Sequence, residues 1–354
     1  MSESLPGINT NPATENQLRG RITLRRTLGV CSLLLSFLVV SVLVVSLIGS
    51  EPLPARGVIC ALFSAGRAQC GLNVEQLAIL FEIRLPRVLL AAAVGASLAA
   101  AGAAYQALLR NPLAEPYLLG ISNGAAVGTM IALVFFGTQE WSRPVMAFAG
   151  ALAATLVVYR LARGRTGATP ERLILAGVIV TTFLSSIIVF VTTLMDATRI
   201  RSFTFWLLGD LSGTTSNLLA VAITIAVLGV IALTLNARAL NLLMLGETDA
   251  FDLGVEVGRV RVMVFLAASL LVGSSVASSG SVGYVGLVVP HLVRLSIGSD
   301  NRITIPAAAL SGAIFVILAD TIARTIISPR ELPVGAITAL IGAPLFIYLL
   351  KRGA

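Results

Sequence analysis

The stretch "LNLLMLGETDAFDLGVEVGRVRV", residues 240–262, gathers Glu247, Asp249, Asp252 and Glu256 in a chain that otherwise avoids charge. Only 12% of the 354 residues are Asp, Glu, Lys or Arg, and the whole chain holds just 17 acids. Hydrophobic residues make up 56%, and mean hydropathy is +0.94. Globular domains are about 45–50% apolar and about 25% charged, so the sequence reads as an integral membrane protein. The acidic island is then a connection between spans, and its neighbours define the fold.

A spanning helix needs roughly 20 mostly apolar residues. Before the island, such runs cover about 27–48, 86–109, 118–137, 143–162, 173–195 and 217–235. After it they cover about 262–282, 284–298, 303–326 and 333–350, the second of these being the shortest. The expectation is an all-α polytopic membrane protein of about ten transmembrane helices. The polar start "MSESLPGINTNPATENQLRGRITLRR", 1–26, reads as a cytoplasmic tail. A cleavable signal peptide would bring its apolar core nearer Met1. Residues 27–354 then form one transmembrane domain.

The net charge of +8 comes almost wholly from arginine, Lys351 being the single lysine. No basic patch interleaved with aromatics appears, so nucleic acid is not an expected partner. With the N-terminus inside, Arg19, Arg21, Arg25, Arg26, Arg110, Arg160, Arg163, Arg165, Arg172, Arg238, Arg259, Arg261, Arg294, Arg302, Lys351 and Arg352 all fall on the inner side. They are the majority of the 25 cations, which favours both termini in the cytoplasm. The acidic island lands there too.

A shift of 178 residues brings Gly95 onto Gly273, Ser97 onto Ser275, Ala99 onto Ala277 and Gly102 onto Gly280. In the same register Leu109 meets Leu287, Pro112 meets Pro290, Gly120 meets Gly298 and Asn123 meets Asn301. Spans two and seven run in opposite directions, so the halves read as an inverted repeat, an arrangement common in transporters.

Enzyme readings fail on composition. His291 is the single histidine, and Cys31, Cys60 and Cys70 lack zinc-ligand spacing. Lys351 follows no glycine-rich loop, so no Walker A motif is present. No metal site or cofactor is expected. Cys60 and Cys70 sit in the predicted outer segment 49–84, either as a disulfide or as two small apolar residues. In "VGYVGLVVPHLVRL", 282–295, Pro290 breaks the backbone ladder at membrane depth. His291 beside it reads as a partner for a neighbouring helix end rather than a proton relay. Asp320 and Arg324 lie four apart on one helix face as an acid–base pair. Arg84 and Arg87 stand just outside span two, as interfacial anchors or as a docking site for an acidic partner.

Several stretches together resemble the FecCD-type permeases, the membrane subunits of ABC importers for vitamin B12, haem and ferric siderophores. These are "IRLPR" at 83–87, "NPLAEPYLLGISNGAAVG" at 111–128, "WLLGDLSG" at 206–213, "LNLLMLGETDAFDLGV" at 240–255, "GSVGYVGLVVPHLVR" at 280–294 and "ELPVGAITALIGAPLFIYLL" at 331–350. The resemblance implies a type II ABC importer permease fold, with ATP hydrolysis on a separate chain. It implies a homodimer, two cytoplasmic ATPase subunits, and a periplasmic or lipid-anchored binding protein, in a bacterial cytoplasmic membrane. The loop at about 238–260 becomes a pair of short ATPase-coupling helices, with Leu245, Gly246, Glu247, Asp249, Asp252, Leu253 and Gly254 as the contact set. Leu253 and Val255 would supply its apolar contact. Arg84, Arg87 and Arg324 match the family's docking arginines for the binding protein. The fifth span flanks the pathway, and Thr181, Thr182, Ser185 and Ser186 are either its polar lining or helix-packing hydroxyls. "NPLAEP" and "SNGA" look closer to the vitamin B12 permeases than to siderophore permeases. An ion-coupled secondary transporter is the alternative; such proteins carry acids at mid-membrane, where only Asp320 approaches the role.

Overall fold

The computed structural model describes residues 24–49, 51–63, 70–136, 141–164, 167–327 and 330–351. The expected N-terminal tail therefore lies almost entirely outside the described residues. Apolar runs without helix breakers become helices because a backbone in lipid must satisfy its own hydrogen bonds. The long elements are α1 (Leu24–Leu47), α4 (Leu85–Leu108), α5 (Ile121–Phe135), α6 (Ser142–Ala162) and α7 (Pro170–Leu194). In the second half come α9 (Ser216–Leu235), α12 (Val257–Ser279), α13 (Val285–Ile297), α14 (Asn301–Thr325) and α15 (Val334–Lys351). Short helices fill the connections: α2 (Ala55–Phe63), α3 (Val74–Ala78), α8 (Ala197–Leu207), α10 (Ala237–Leu245) and α11 (Glu247–Asp252). Each of the ten expected spans has its helix. Seven of these, among the described residues, are long and apolar enough to cross a membrane, while α5, α13 and α15 are shorter.

Two connections differ from expectation. The segment before the second span is helical: α3 runs through a π-turn, Ile79–Arg84, directly into α4, giving one 35-residue helix from Val74 to Leu108. Cys60 and Cys70 are joined by a disulfide across the α2–α3 connection. That settles the alternative left open by the sequence.

The core is built from α4, α12 and α14, whose small residues let backbones close up. A methyl group added at Gly95 on α4 would lie 2.1 Å from the carbonyl oxygen of Gly312 on α14. The packing has the symmetry of an inverted repeat. α4 lies on α14 as α12 lies on α6, and α5 pairs with α6 as α13 pairs with α14. The single shift of 178, however, does not survive. Helices starting at Leu85, Ile121, Ser142 and Pro170 correspond to those starting at Val257, Val285, Asn301 and Val334, so the offset changes from helix to helix. Gly102 is mid-helix, whereas Gly280 follows the end of α12. The sequence matches in that register arise from shared small-residue composition, with the connections differing in length.

The non-helical backbone within each repeat, between its first two helices, is held by side chains. A 3-10 turn, Pro116–Leu119, faces the extended segment 280–284. The Tyr117 hydroxyl donates to the Val282 carbonyl and accepts from its N–H, both at 3.0 Å. Glu115 accepts from the Tyr284 N–H at 3.2 Å. Tyr284 adopts φ 65, a left-handed conformation rare for a bulky residue, at the start of α13.

Candidate functional site: two ends and an open face

At one end of the bundle, the C-terminus of α1 meets α4 and α14. Arg84 donates to the carbonyls of Ser46 (3.2 Å), Leu47 (3.4 Å) and Glu51. Arg324 donates to the carbonyl of Val45 at 3.1 Å. Two guanidiniums thus cap the end of α1, where a helix presents unpaired carbonyls and partial negative charge. Arg87 grips both oxygens of Asp320, with Nη2 at 2.9 Å, and reaches Glu331 with Nη1 at 2.7 Å.

Arg84, Arg87 and Arg324 are 4%, 8% and 9% exposed. They are not the free surface cations that their place outside the spans suggested. Burial of a charge requires a partner, and each has found one in its own chain. The expected Asp320–Arg324 pair is only a 3.8 Å contact, because Arg87 from another helix takes the carboxylate. All three arginines nevertheless line one cleft of about 230 Å³, together with Gly49, Glu51, Ile79, Ile83 and Glu331. Glu331, which is half-exposed, and the exposed Glu51 are its accessible acids.

The four fifth-span hydroxyls divide into two pairs. Asn123 on α5 donates to the Ser185 hydroxyl at 2.6 Å and to the Thr181 carbonyl at 3.1 Å. Ser185 and Thr181 therefore look towards α5, and the Thr181 hydroxyl is buried without a partner among the described residues. Thr182 and Ser186 are exposed and bond only to their own helix, at the carbonyls of Val178 and Thr182. They lie on an exposed face with Leu175, Ile179, Phe183 and Phe190.

At the opposite end, the acidic island forms α10 and α11, with Gly246 between them. α10 is anchored: Ala237, Leu240 and Leu243 are buried, and Asn241 donates to Asp300 at 2.7 Å while accepting from Asn301. Burial pushes the Asp300 carboxyl up, but hydrogen bonds from Arg302 and Asn241 outweigh it and hold the group below the usual range. α11 buries only Ala250. Its ion pairs are made by Glu247, which accepts from the buried Arg261 of α12 and lies 3.9 Å from Arg110.

Leu245, Phe251 and Leu253 project with exposures of 68%, 72% and 61%, beside Asp249 and Asp252. Val255, expected to join Leu253 in the apolar contact, is partly buried against the core, while Phe251 is exposed beside Leu253. Gly254 ends the knob at φ +83, a left-handed conformation that costs glycine little.

His291 does not satisfy a helix end. Its ring meets Phe346 edge-on at 6.1 Å. The carbonyls left by the break at Pro290 are served by Gln106, which donates to Gly286 (3.4 Å) and Leu287 (3.2 Å). Gln106, Phe251, Arg261 and Glu331 were all missed from sequence. Only Phe251 carried a local signal, a large apolar residue inside an acidic run.

An inverted-repeat bundle of apolar helices, with an open helix face and a charged knob at one end, defines a polytopic membrane permease. The comparisons agree. The FecCD transport family model matches residues 35–352, and the chain belongs to that family. It is 45% identical over 280 residues to the uncharacterized ABC transporter permease protein YvrB of Bacillus subtilis, covering 77% of this chain and 79% of that protein. It is 41% identical over 304 residues to the cobalamin import system permease protein BtuC of Halobacterium salinarum, covering 86% and 80%. It is 43% identical over 279 residues to the hemin transport system permease protein HmuU of Yersinia pestis, covering 77% and 83%. A solved inward-facing structure, described as a metal-chelate type ABC transporter, superposes with a TM-score of 0.80 at 31% identity. That match covers 93% of this chain and 100% of the other. The chain is an ABC importer permease.

Proposed function

We propose that this permease carries a metal chelate of the corrinoid or haem kind from periplasm to cytoplasm. It would work as a homodimer with two cytoplasmic ATPase subunits and a periplasmic binding protein. The observation that carries the reading is the α10–α11 knob. Three exposed apolar side chains among acids, on short helices outside the bundle, suit a transient seat in a groove of a separate ATPase. The knob end is then cytoplasmic, and both termini with it. The permease itself is not an enzyme.

The open face of α7 looks to the second copy across the twofold axis, so that Thr182 and Ser186 line the path. The arginine cleft receives carboxylates of the binding protein, which enter where Glu331 now reaches Arg87. A secondary transporter is disfavoured because Asp320 is locked to Arg87. Among the described residues no three metal-ligating groups converge. The cargo therefore passes without being chelated by the wall, and selectivity rests with the binding protein.

The test is uptake into proteoliposomes holding permease, ATPase and binding protein, with cyanocobalamin and hemin as probes. ATP-dependent accumulation of one of them supports the reading. Accumulation driven by a proton or sodium gradient without ATP overturns it.

A further inference from the structure

The knob and the fifth span are joined by one buried side chain. Arg261 on α12 is 7% exposed. Its Nη2 donates to Glu247, the first residue of α11, and its Nη1 donates to the Ala168 carbonyl at 2.7 Å. Ala168 belongs to β2 (Gly167–Ala168), which pairs antiparallel with β1 (Arg163–Gly164) in a small hairpin between α6 and α7. α7 begins at Pro170, directly after that hairpin. One guanidinium therefore holds the start of the knob's outer helix and the foot of the helix with the open hydroxyl face. No other hydrogen bond or ion pair among the described residues joins α11 to that foot.

The two halves of the knob are fastened differently. α10 buries three side chains and is tied through Asn241 to the start of α14. α11 follows Gly246, buries one side chain, and is held by its charged first residue. A force on the exposed Phe251 and Leu253 meets an anchored α10 and a weakly packed α11. The displacement of α11 goes first to Glu247, and from there through Arg261 to Ala168.

We propose that Arg261 is the positioning residue that transmits movement of the coupling helix to the fifth span, with Glu247 and the Ala168 carbonyl as its two handles. This rests on the coupling reading given above. α10 is the fixed foot of the knob and α11 its lever. A planar, permanently charged fork with donors on both sides suits a link that must hold two groups at a fixed angle. Lysine, whose three donors radiate from one nitrogen, does not replace a fork that reaches two acceptors from separate nitrogens.

The test uses the assembled transporter in proteoliposomes, comparing Arg261→Gln, Arg261→Lys, Glu247→Gln and the double variant Arg261→Gln/Glu247→Gln. In the two Arg261 single variants the ATPase remains attached, and in all four cargo moved per ATP hydrolysed falls about tenfold, the size typical of a coupling between sites. The double variant is no worse than either single one, because both remove the same link. A second readout is labelling of Thr182→Cys, in a Cys31→Ser background, by a membrane-impermeant thiol reagent. With Arg261 present the labelling rate changes when a non-hydrolysable ATP analogue binds; with Arg261→Gln it does not.

Normal transport per ATP and nucleotide-dependent labelling in Arg261→Gln overturn the proposal, as does an additive double variant. A control separates this from the coupling reading itself. Leu253→Asp detaches the ATPase if the knob is its seat. Retention of the ATPase by that variant sinks the coupling reading, whatever Arg261 does. Should Arg261→Gln fail to fold, Glu247→Gln, whose side chain is partly exposed, carries the same comparison.

Discussion

Pro290 cannot donate a backbone hydrogen bond, and the carbonyl it strands one turn back is that of Gly286. Gln106 fills the gap and also accepts from Arg294. Gln106→Leu should therefore cost about 1–3 kcal/mol, the penalty of stranded buried polar groups, read as a lower melting temperature in detergent. Adding Pro290→Ala restores a helical N–H opposite Gly286 and should recover part of the loss. No recovery would mean that the glutamine serves something else. Asp320 offers a second test. Arg87→Met leaves a buried carboxylate with only the distant Arg324, at about 3–5 kcal/mol, whereas Arg87→Met with Asp320→Leu removes both charges and should cost far less. Equal losses would refute the pairing. Neither partnership was legible in the sequence. Four-residue spacing pointed Asp320 to Arg324, since only neighbours along a helix can be read from spacing. Arg87–Asp320 and Gln106–Gly286 are made by helices far apart in the chain, and their contact depends on how α4 packs.

The helices themselves were mostly legible. Runs of apolar residues gave every long element, since composition alone decides what can cross a bilayer. The π-turn into α4 and the 3-10 turn before α5 were not, because each depends on packing rather than on composition. The island at 240–262 is the element with most to test. Phe251→Asp or Leu253→Asp should leave the permease in the membrane but reduce ATPase co-purification on the order of tenfold or more, as loss of a central apolar contact does. Gly254→Pro should do likewise by another route, since proline cannot adopt the positive φ found there. ATPase retention and wild-type uptake in all three would remove the assignment. The island was legible as a charged connection between two spans, and in the structure it forms α10, α11 and the turn after them. Less legible was Val255, which is partly buried against the core just after the turn at Gly254.

For the whole molecule, the least packed long helices are the informative ones. α7 buries only Leu173, Ala176, Gly177 and Val180, and α15 exposes Leu340 and Ile347. If these faces meet a second copy, Phe183→Asp with Leu340→Asp should convert the dimer to monomer by light scattering in detergent. Leu33→Asn with Phe37→Ser, on the lipid-facing α1, should not. A dimer that survives the first pair places the twofold axis elsewhere. Ser185→Ala and His291→Gln should slow uptake only modestly without changing which chelate is carried. Exchange of the binding protein should change that preference. A submicromolar, chelate-selective site on the isolated dimer would contradict a weakly interacting path. The inverted repeat was legible as a tendency but not as a register, because the connections between repeats differ in length and small residues match by chance.

The disulfide between Cys60 and Cys70 dates an event in the making of this protein. Thiols are kept reduced in the cytoplasm, so under the orientation proposed above the bond closes only once the segment after α1 has crossed the membrane. Under that orientation, closure reports in a newly made chain that α1 has inserted. In a pulse-chase experiment the Cys60–Cys70 bond should close before α15 has been synthesised, detected as protection from maleimide-induced gel shift. A strain lacking its thiol-oxidising machinery should leave the nascent chains open at this one point, so insertion and oxidation become separable steps in the making of this protein.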